Sequence, residues 1–135
     1  RFCGWEILGF GRPAFHEAFR SGQIDFRFEL FREQKPLVLE RLVSAAGRIA
    51  GLRDASACAT FFATPANADV LARAREVLCN PGEALAAATL VEDVLIGRAL
   101  AASCESLSTL FGRLWAAVRP LLFGRPACPP RIWRT

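Results

Sequence analysis

EALAAATLVEDVLIGRALAA, Glu83 to Ala102, is the stretch on which the fold turns. Its alanines and leucines favour one long helix by propensity. Its β-branched residues Thr89, Val91, Val94 and Ile96 suit strands instead, and Leu95, Gly97 and Ala99 can share a face. The first reading adds a helix, and the second adds two strands meeting at a turn near Glu92-Asp93. On these residues alone both readings stand.

The flanks are clearer. Upstream, Ala55 to Ala63 ends in Thr60-Phe61-Phe62 and has the character of a buried strand. Thr64-Pro65 offers an N-cap and a proline at the first helical position. Val70, Leu71, Ala74, Val77 and Leu78 then share one helix face, and Asn80-Pro81-Gly82 stops the helix. Downstream, Ser103 caps a last helix, with Glu105 in the first turn where the dipole favours it. Leu107, Leu110, Phe111, Leu114, Val118, Leu121 and Leu122 form its apolar stripe, and such a stripe is ordinarily core. Pro120 removes a backbone donor, so a kink or an end is expected near Arg119, and Gly124 suits a left-handed terminating position.

The cleanest periodicity lies nearer the start. Ile24, Phe26, Phe28 and Leu30 alternate with Asp25, Arg27, Glu29 and Phe31, which predicts a strand over Gln23 to Arg32. Glu33-Gln34-Lys35-Pro36 is a turn, and Leu37 to Val43 returns with Leu37, Leu39 and Arg41 on one face. This is an antiparallel hairpin. Before it, Gly4 to Phe10 forms a short strand with Trp5, Ile7 and Gly9 on one side, closed by Gly11-Arg12-Pro13. Ala14 to Arg20 has room for about one helical turn before Ser21-Gly22 breaks it. Ser44 to Asp54 is loop or broken strand.

The 135 residues suit one domain with a real core. The formal charge of +4 comes almost wholly from arginine, since Lys35 is the only lysine. Arginine suits bidentate pairing with carboxylates, and its scatter differs from the single basic run of a nucleic-acid binder. There is no uncharged apolar run of membrane-spanning length, about 18 residues, and no signal-peptide pattern. Cys3, Cys58, Cys79, Cys104 and Cys128 are odd in number and widely spaced, which is neither a disulfide framework nor a zinc site. A reducing cytoplasm is the expectation.

The chain ends LWAAVRPLLFGRPACPPRIWRT, Leu114 to Thr135. Trp115 and Trp133 bracket Arg119, Arg125 and Arg131, and Pro126, Pro129 and Pro130 hold the backbone extended. Tryptophan and arginine dominate interface energies, and a stiff backbone has little entropy left to lose. Ile132 and Trp133 either fold back as a staple on the chain's own sheet or project to a partner.

The ending RPLLFGRPACPPRIWRT resembles the C-terminus of the urease accessory protein family UreD, also called UreH. GWEILGFGRPAFHEAF, Gly4 to Phe19, is similar to that family's segment E-x-x-x-x-G-R-x-A-x-G-E-x-F. The resemblance implies that the chain is the C-terminal portion of a longer protein. It implies a mainly β fold with a few helices (α+β), part of a β-helix-like whole, and it favours the two strands within Glu83 to Ala102. It also implies a non-catalytic scaffold for nickel insertion into urease, docking on the urease apoprotein and on UreF, and through UreF on UreG. Nickel is then handled by the assembly, with no tightly bound cofactor. The family-motif or partner-binding positions are Gly11, Arg12, Glu17, Phe19, Trp115, Arg119, Pro120, Gly124, Arg125, Pro129, Pro130, Arg131, Ile132 and Trp133. His16 stands where the family pattern has glycine, which questions the backbone of that turn.

Other chemistry is sparse. Asp25 and Glu29 share a strand face, where Arg27 and Arg41 are the natural cross-strand partners. No G-x-S-x-G, H-E-x-x-H or Walker A pattern occurs. A nickel-binding metallochaperone would need a ligand cluster around the single histidine. A basic nucleic-acid module would use the arginines with the tryptophans for stacking. A small hydrolase is the remaining alternative.

Overall fold

The structure, a computed structural model, describes residues 1–11, 15–16, 21–45, 52 and 55–130. In chain order the described elements are β1 (Phe2–Gly9), β2 (Gln23–Arg32), β3 (Lys35–Ala45), β4 (Ala57–Thr64), α1 (Ala68–Leu78), β5 (Leu85–Val91), β6 (Val94–Ala101) and α2 (Cys104–Phe123). They make one antiparallel sheet in the order β1-β4-β6-β5 and a separate antiparallel pair, β2-β3. The fold is mainly β with two helices. Glu83 to Ala102 is therefore two strands, β5 and β6, turning at Glu92-Asp93.

Tertiary packing overrides the helix propensity of this stretch. In the register β1-β4-β6-β5, one sheet face collects Trp5, Ile7, Ala59, Phe61, Ala63, Leu95, Gly97, Ala99, Ala86, Ala88 and Leu90. Against it lies the stripe of α2, with Leu107, Leu110, Phe111, Leu114 and Val118 buried. Small residues on β5 and β6 allow close approach. A Cβ on Gly97 would already stand 3.4 Å from both Leu114 Cδ2 and Phe61 Cβ. Phe61 meets Phe111 edge to face at 5.8 Å between ring centroids. Helix α1 completes this layer with Val70, Ala74 and Leu78, and Arg113 of α2 reaches the Asn80 carbonyl at its end.

The hairpin covers part of the opposite face. Phe28 stacks on Phe62 at 4.2 Å with ring planes 2° apart, and Leu30, Leu37 and Val38 cover Val94 and Ile96. Two arginine clamps flank this patch. Arg32 bonds to Asp93 at 2.8 Å and to the Thr64 hydroxyl, while Arg98 donates to Glu40 Oε1 at 2.6 and 2.9 Å. The outer hairpin face carries the predicted charge pairing, with Asp25 accepting from Arg41 at 2.8 and 2.9 Å and from Arg27 at 3.5 Å. That pairing holds the Asp25 carboxyl down at about 2.

Three local expectations need correction. The cap of α1 is Asn67, whose side chain accepts from the Val70 N–H at 3.1 Å, and not Thr64. Thr64 is the buried last residue of β4, with its hydroxyl engaged by Arg32, so the helix starts one turn later. The hairpin turn is only Glu33-Gln34, both at positive φ (48° and 67°), which matches strand twist. Lys35 and Pro36 already belong to β3, and the register shifts at Leu30/Phe31, where a strand tolerates proline. Pro120 does not end α2 at Arg119. The helix runs to Phe123 because its stripe continues to the buried Leu122, and Gly124 closes it in the left-handed region (φ 65°) as expected. The proposed turn at Ala14 to Arg20 and most of the loop after β3 lie outside the described residues.

Leu114 is fully buried where α2 approaches Gly97. Leu114→Ala should lower the unfolding free energy by about 2–5 kcal/mol in urea titration, and a loss under about 1 kcal/mol would contradict this packing.

Candidate functional site: a C-terminal ridge and a cleft beneath the hairpin

Residues four apart on a helix stack along one face. On the last turns of α2 this aligns Trp115, Arg119 and Phe123, and the Arg119 guanidinium lies 5.1 Å from the Trp115 ring centre and 6.0 Å from that of Phe123. The Arg119 Nε atom is buried and meets no hydrogen-bond acceptor among the described residues. Beside the ridge is an open recess of about 380 Å³ lined by Trp5, Gly112, Arg113, Trp115, Ala116 and Pro129. Gly112 helps create it, because a Cβ there would meet nothing within 4 Å. The tail thus returns along α2 at least as far as Pro129.

The structure brings Trp115, Arg119 and Pro129 together and leaves other predicted residues apart. Pro120, Gly124, Arg125 and Pro130 are exposed around the helix end. Gly11 sits at φ 108°, a backbone that glycine supplies without strain. His16 adopts φ 57°, so the turn keeps the left-handed conformation a glycine would take there. Arg12, Glu17, Phe19, Arg131, Ile132 and Trp133 lie outside the described residues.

A second locus was not singled out from sequence. On the hairpin side, the sheet register lines up Leu8, Cys58, Leu100 and Leu85 in one row across all four strands, and Glu6, Thr60, Arg98 and Ala87 in the next. The hairpin covers rows further along and diverges here. This leaves a cleft of about 230 Å³ with Leu8, Cys58 and Leu100 on its floor and Phe26, Leu42 and Leu52 opposite. Glu6 and Glu40 enter it from opposite layers. Burial pushes the Glu6 carboxyl up to about 7, and the charge of Glu40 adds to the effect. Burial likewise raises the Cys58 thiol to about 11, helped by Glu6, Glu40 and Cys104. Glu40 Oε1 is held by Arg98, but Oε2 is buried and meets no donor among the described residues. A signal existed in the pattern, since Glu6 interrupts Gly4 and Leu8, and Glu40 interrupts Val38 and Leu42, on the inward-facing positions.

Among the described residues no three His, Cys, Asp or Glu side chains converge as a metal site requires, and no helix is long and apolar enough to cross a membrane. A family profile described as "UreD urease accessory protein" matches residues 1–134. The chain is 38% identical over 139 residues to the urease accessory protein UreD of Alcanivorax borkumensis, covering 99% of this chain and 47% of that protein. It is 38% identical over 135 residues to UreD of Pseudomonas putida, covering 100% of this chain and 48% of the relative. Against UreD 2 of Brucella anthropi the identity is 33%, covering 99% and 51%. This is a chain of the urease accessory class, and it belongs to the UreD family. It spans about half the length of the curated relatives it matches.

Two consequences can be measured. Glu6 keeps a proton in the fold between its ordinary 4.5 and about 7, a range in which the unfolded chain has released it. The folded pKa is raised, so this contribution to stability is full below 4.5 and lost as pH rises through about 7. Glu6→Gln should flatten the melting temperature between about pH 5 and about pH 8, and an unchanged slope would contradict the assignment. Separately, His16→Gly should stabilise the fold by about 1 kcal/mol by removing a left-handed non-glycine residue, whereas destabilisation would mean that the imidazole has a structural role.

Proposed function

We propose that this chain is the C-terminal portion of a UreD-type accessory protein that acts in urease maturation as a scaffold rather than a catalyst. It contributes to nickel insertion through contacts with UreF, with UreG by way of UreF, and with the urease apoprotein, in the cytoplasm. It binds no cofactor tightly, and nickel is handled by the assembly. Family membership supports the urease setting. The observation that carries the scaffold reading is the Trp115-Arg119-Phe123 ridge beside its recess. An arginine sandwiched by aromatic rings is pre-ordered, and Trp and Arg are enriched among interface residues of largest energy.

The metal-carrier alternative predicts saturable, tight Ni²⁺ binding by the isolated chain in calorimetry, and the scaffold reading predicts none. The scaffold reading is tested by affinity purification of the chain against UreF and urease apoprotein. Arg119→Ala should weaken capture by about tenfold or more, which corresponds to 1.4 kcal/mol, with the chain still folded. Capture that is undiminished in the folded variant would move the interface away from the ridge.

A further inference from the structure

The excess positive charge of the chain lies wholly at its C-terminal end. All thirteen acidic residues precede Ser106, where twelve basic residues accompany them for a net −1. The thirty residues from Ser106 to Thr135 hold five arginines and no Asp or Glu. Among the described residues, no carboxylate pairs with Arg113, Arg119 or Arg125. Arg113 reaches the Asn80 carbonyl at 3.4 and 3.5 Å, which is long for a hydrogen bond and supplies no counter-charge. Arg119 Nε is buried and meets no acceptor among the described residues. Cys3 on β1 is near enough to feel the Arg119 charge, but burial pushes its thiol up to about 12, so it stays neutral. A buried donor left unmet is costly, and such an atom in a native fold calls for a partner.

Gly112 is a second and independent sign. Glycine weakens a helix interior relative to alanine, yet a Cβ on Gly112 would meet nothing within 4 Å. Close packing therefore does not account for this glycine in the middle of α2. Its effect is to keep open the recess of about 380 Å³ between Trp5, Arg113, Trp115 and Pro129. The recess thus joins aromatic walls to an arginine-rich rim, and no Asp or Glu lines it among the described residues.

We propose that ridge and recess together bind an acidic segment of a protein partner. The segment sets one carboxylate on the N–H edge of Arg119 and lowers one bulky apolar side chain over Gly112. This rests on the scaffold reading above and gives the partner a chemistry. A carboxylate fits because it supplies the acceptor that Arg119 Nε lacks and matches a guanidinium edge with two parallel bonds. An apolar side chain fits because the recess has aromatic walls and an unfilled helix surface at its base. A nucleic acid is the other polyanion to consider, but Arg119 already lies over the Trp115 ring, where a base would stack.

The test selects peptides from a random phage-displayed library on the immobilised chain. Enriched peptides should carry Asp or Glu close to Trp, Phe or Leu, and Arg119→Gln should weaken their binding about tenfold. Gly112→Leu, which fills the recess from open space, should weaken it at least as much, and it carries the test if Arg119→Gln melts early. A selection that enriches nothing, or peptides without acidic residues, overturns the proposal. So does binding that both variants retain. A single-stranded oligonucleotide that binds more tightly than any selected peptide, and is lost in Gly112→Leu, would make a nucleic acid the occupant. Peptide binding that appears only after removal of residues 131–135 would make the chain's own end the occupant. Capture of UreF and urease apoprotein reports separately on the scaffold reading. Acidic peptides selected as expected without such capture would remove those partners and leave this site standing. Capture that survives Gly112→Leu, with no acidic peptide selected, would remove this site and leave the scaffold reading.

Discussion

Phe61 and Phe62 are neighbours in sequence and point to opposite faces of the same sheet, with 0% and 1% of their surfaces exposed. A strand with large apolar side chains on both sides cannot leave either side to water. Much of the architecture answers to that constraint. Phe61 stacks with Trp5 at 6.0 Å and meets Phe111 of α2, which anchors the helical layer. Phe62 is covered by Phe28, which anchors the hairpin. The helical cover is a continuous stripe along α2. The hairpin cover is one stacked ring pair, a few aliphatic side chains and two arginine clamps, and it ends before the sheet does.

Much of this was legible in the residues, and the misses share a cause. The alternation over Gln23 to Arg32 and the stripe over Leu107 to Leu122 are local periodicities, and both elements formed as they predicted. The Ala-rich stretch Glu83 to Ala102 was ambiguous because alanine serves either element. What decides it is the need for small residues beneath α2, a long-range fact visible only when Gly97 is seen against Leu114. The misplaced cap at Thr64 fails for the same reason, since its hydroxyl belongs to Arg32, 32 residues away. Glu6 and Glu40 were not singled out from the sequence, because they lie 34 positions apart and only the two β layers bring them to one cleft.

The arginines divide by task. Arg32 and Arg98 join hairpin to sheet, Arg113 joins α2 to the end of α1, and Arg75 bonds the Ala88 carbonyl of edge strand β5 at 3.3 Å. Planar, multidentate guanidinium groups suit such cross-element ties better than lysine does, and this fits a sequence with one lysine. Arg119 differs. Its guanidinium lies against the Trp115 and Phe123 rings near the end of α2, and the scaffold role proposed above rests on that arrangement.

The sheet and α2 form the stable body, while the hairpin is a partial second layer held mainly through the Phe28–Phe62 stack and its flanking clamps. Native-state hydrogen exchange resolved by residue tests this directly. Amides of β4, β6 and α2 should exchange only through global unfolding, while those of β2 and β3 exchange through a smaller opening that Phe28→Ala makes smaller still. Hairpin amides protected to the same free energy as β4 and β6, and still so protected in Phe28→Ala, would contradict the account.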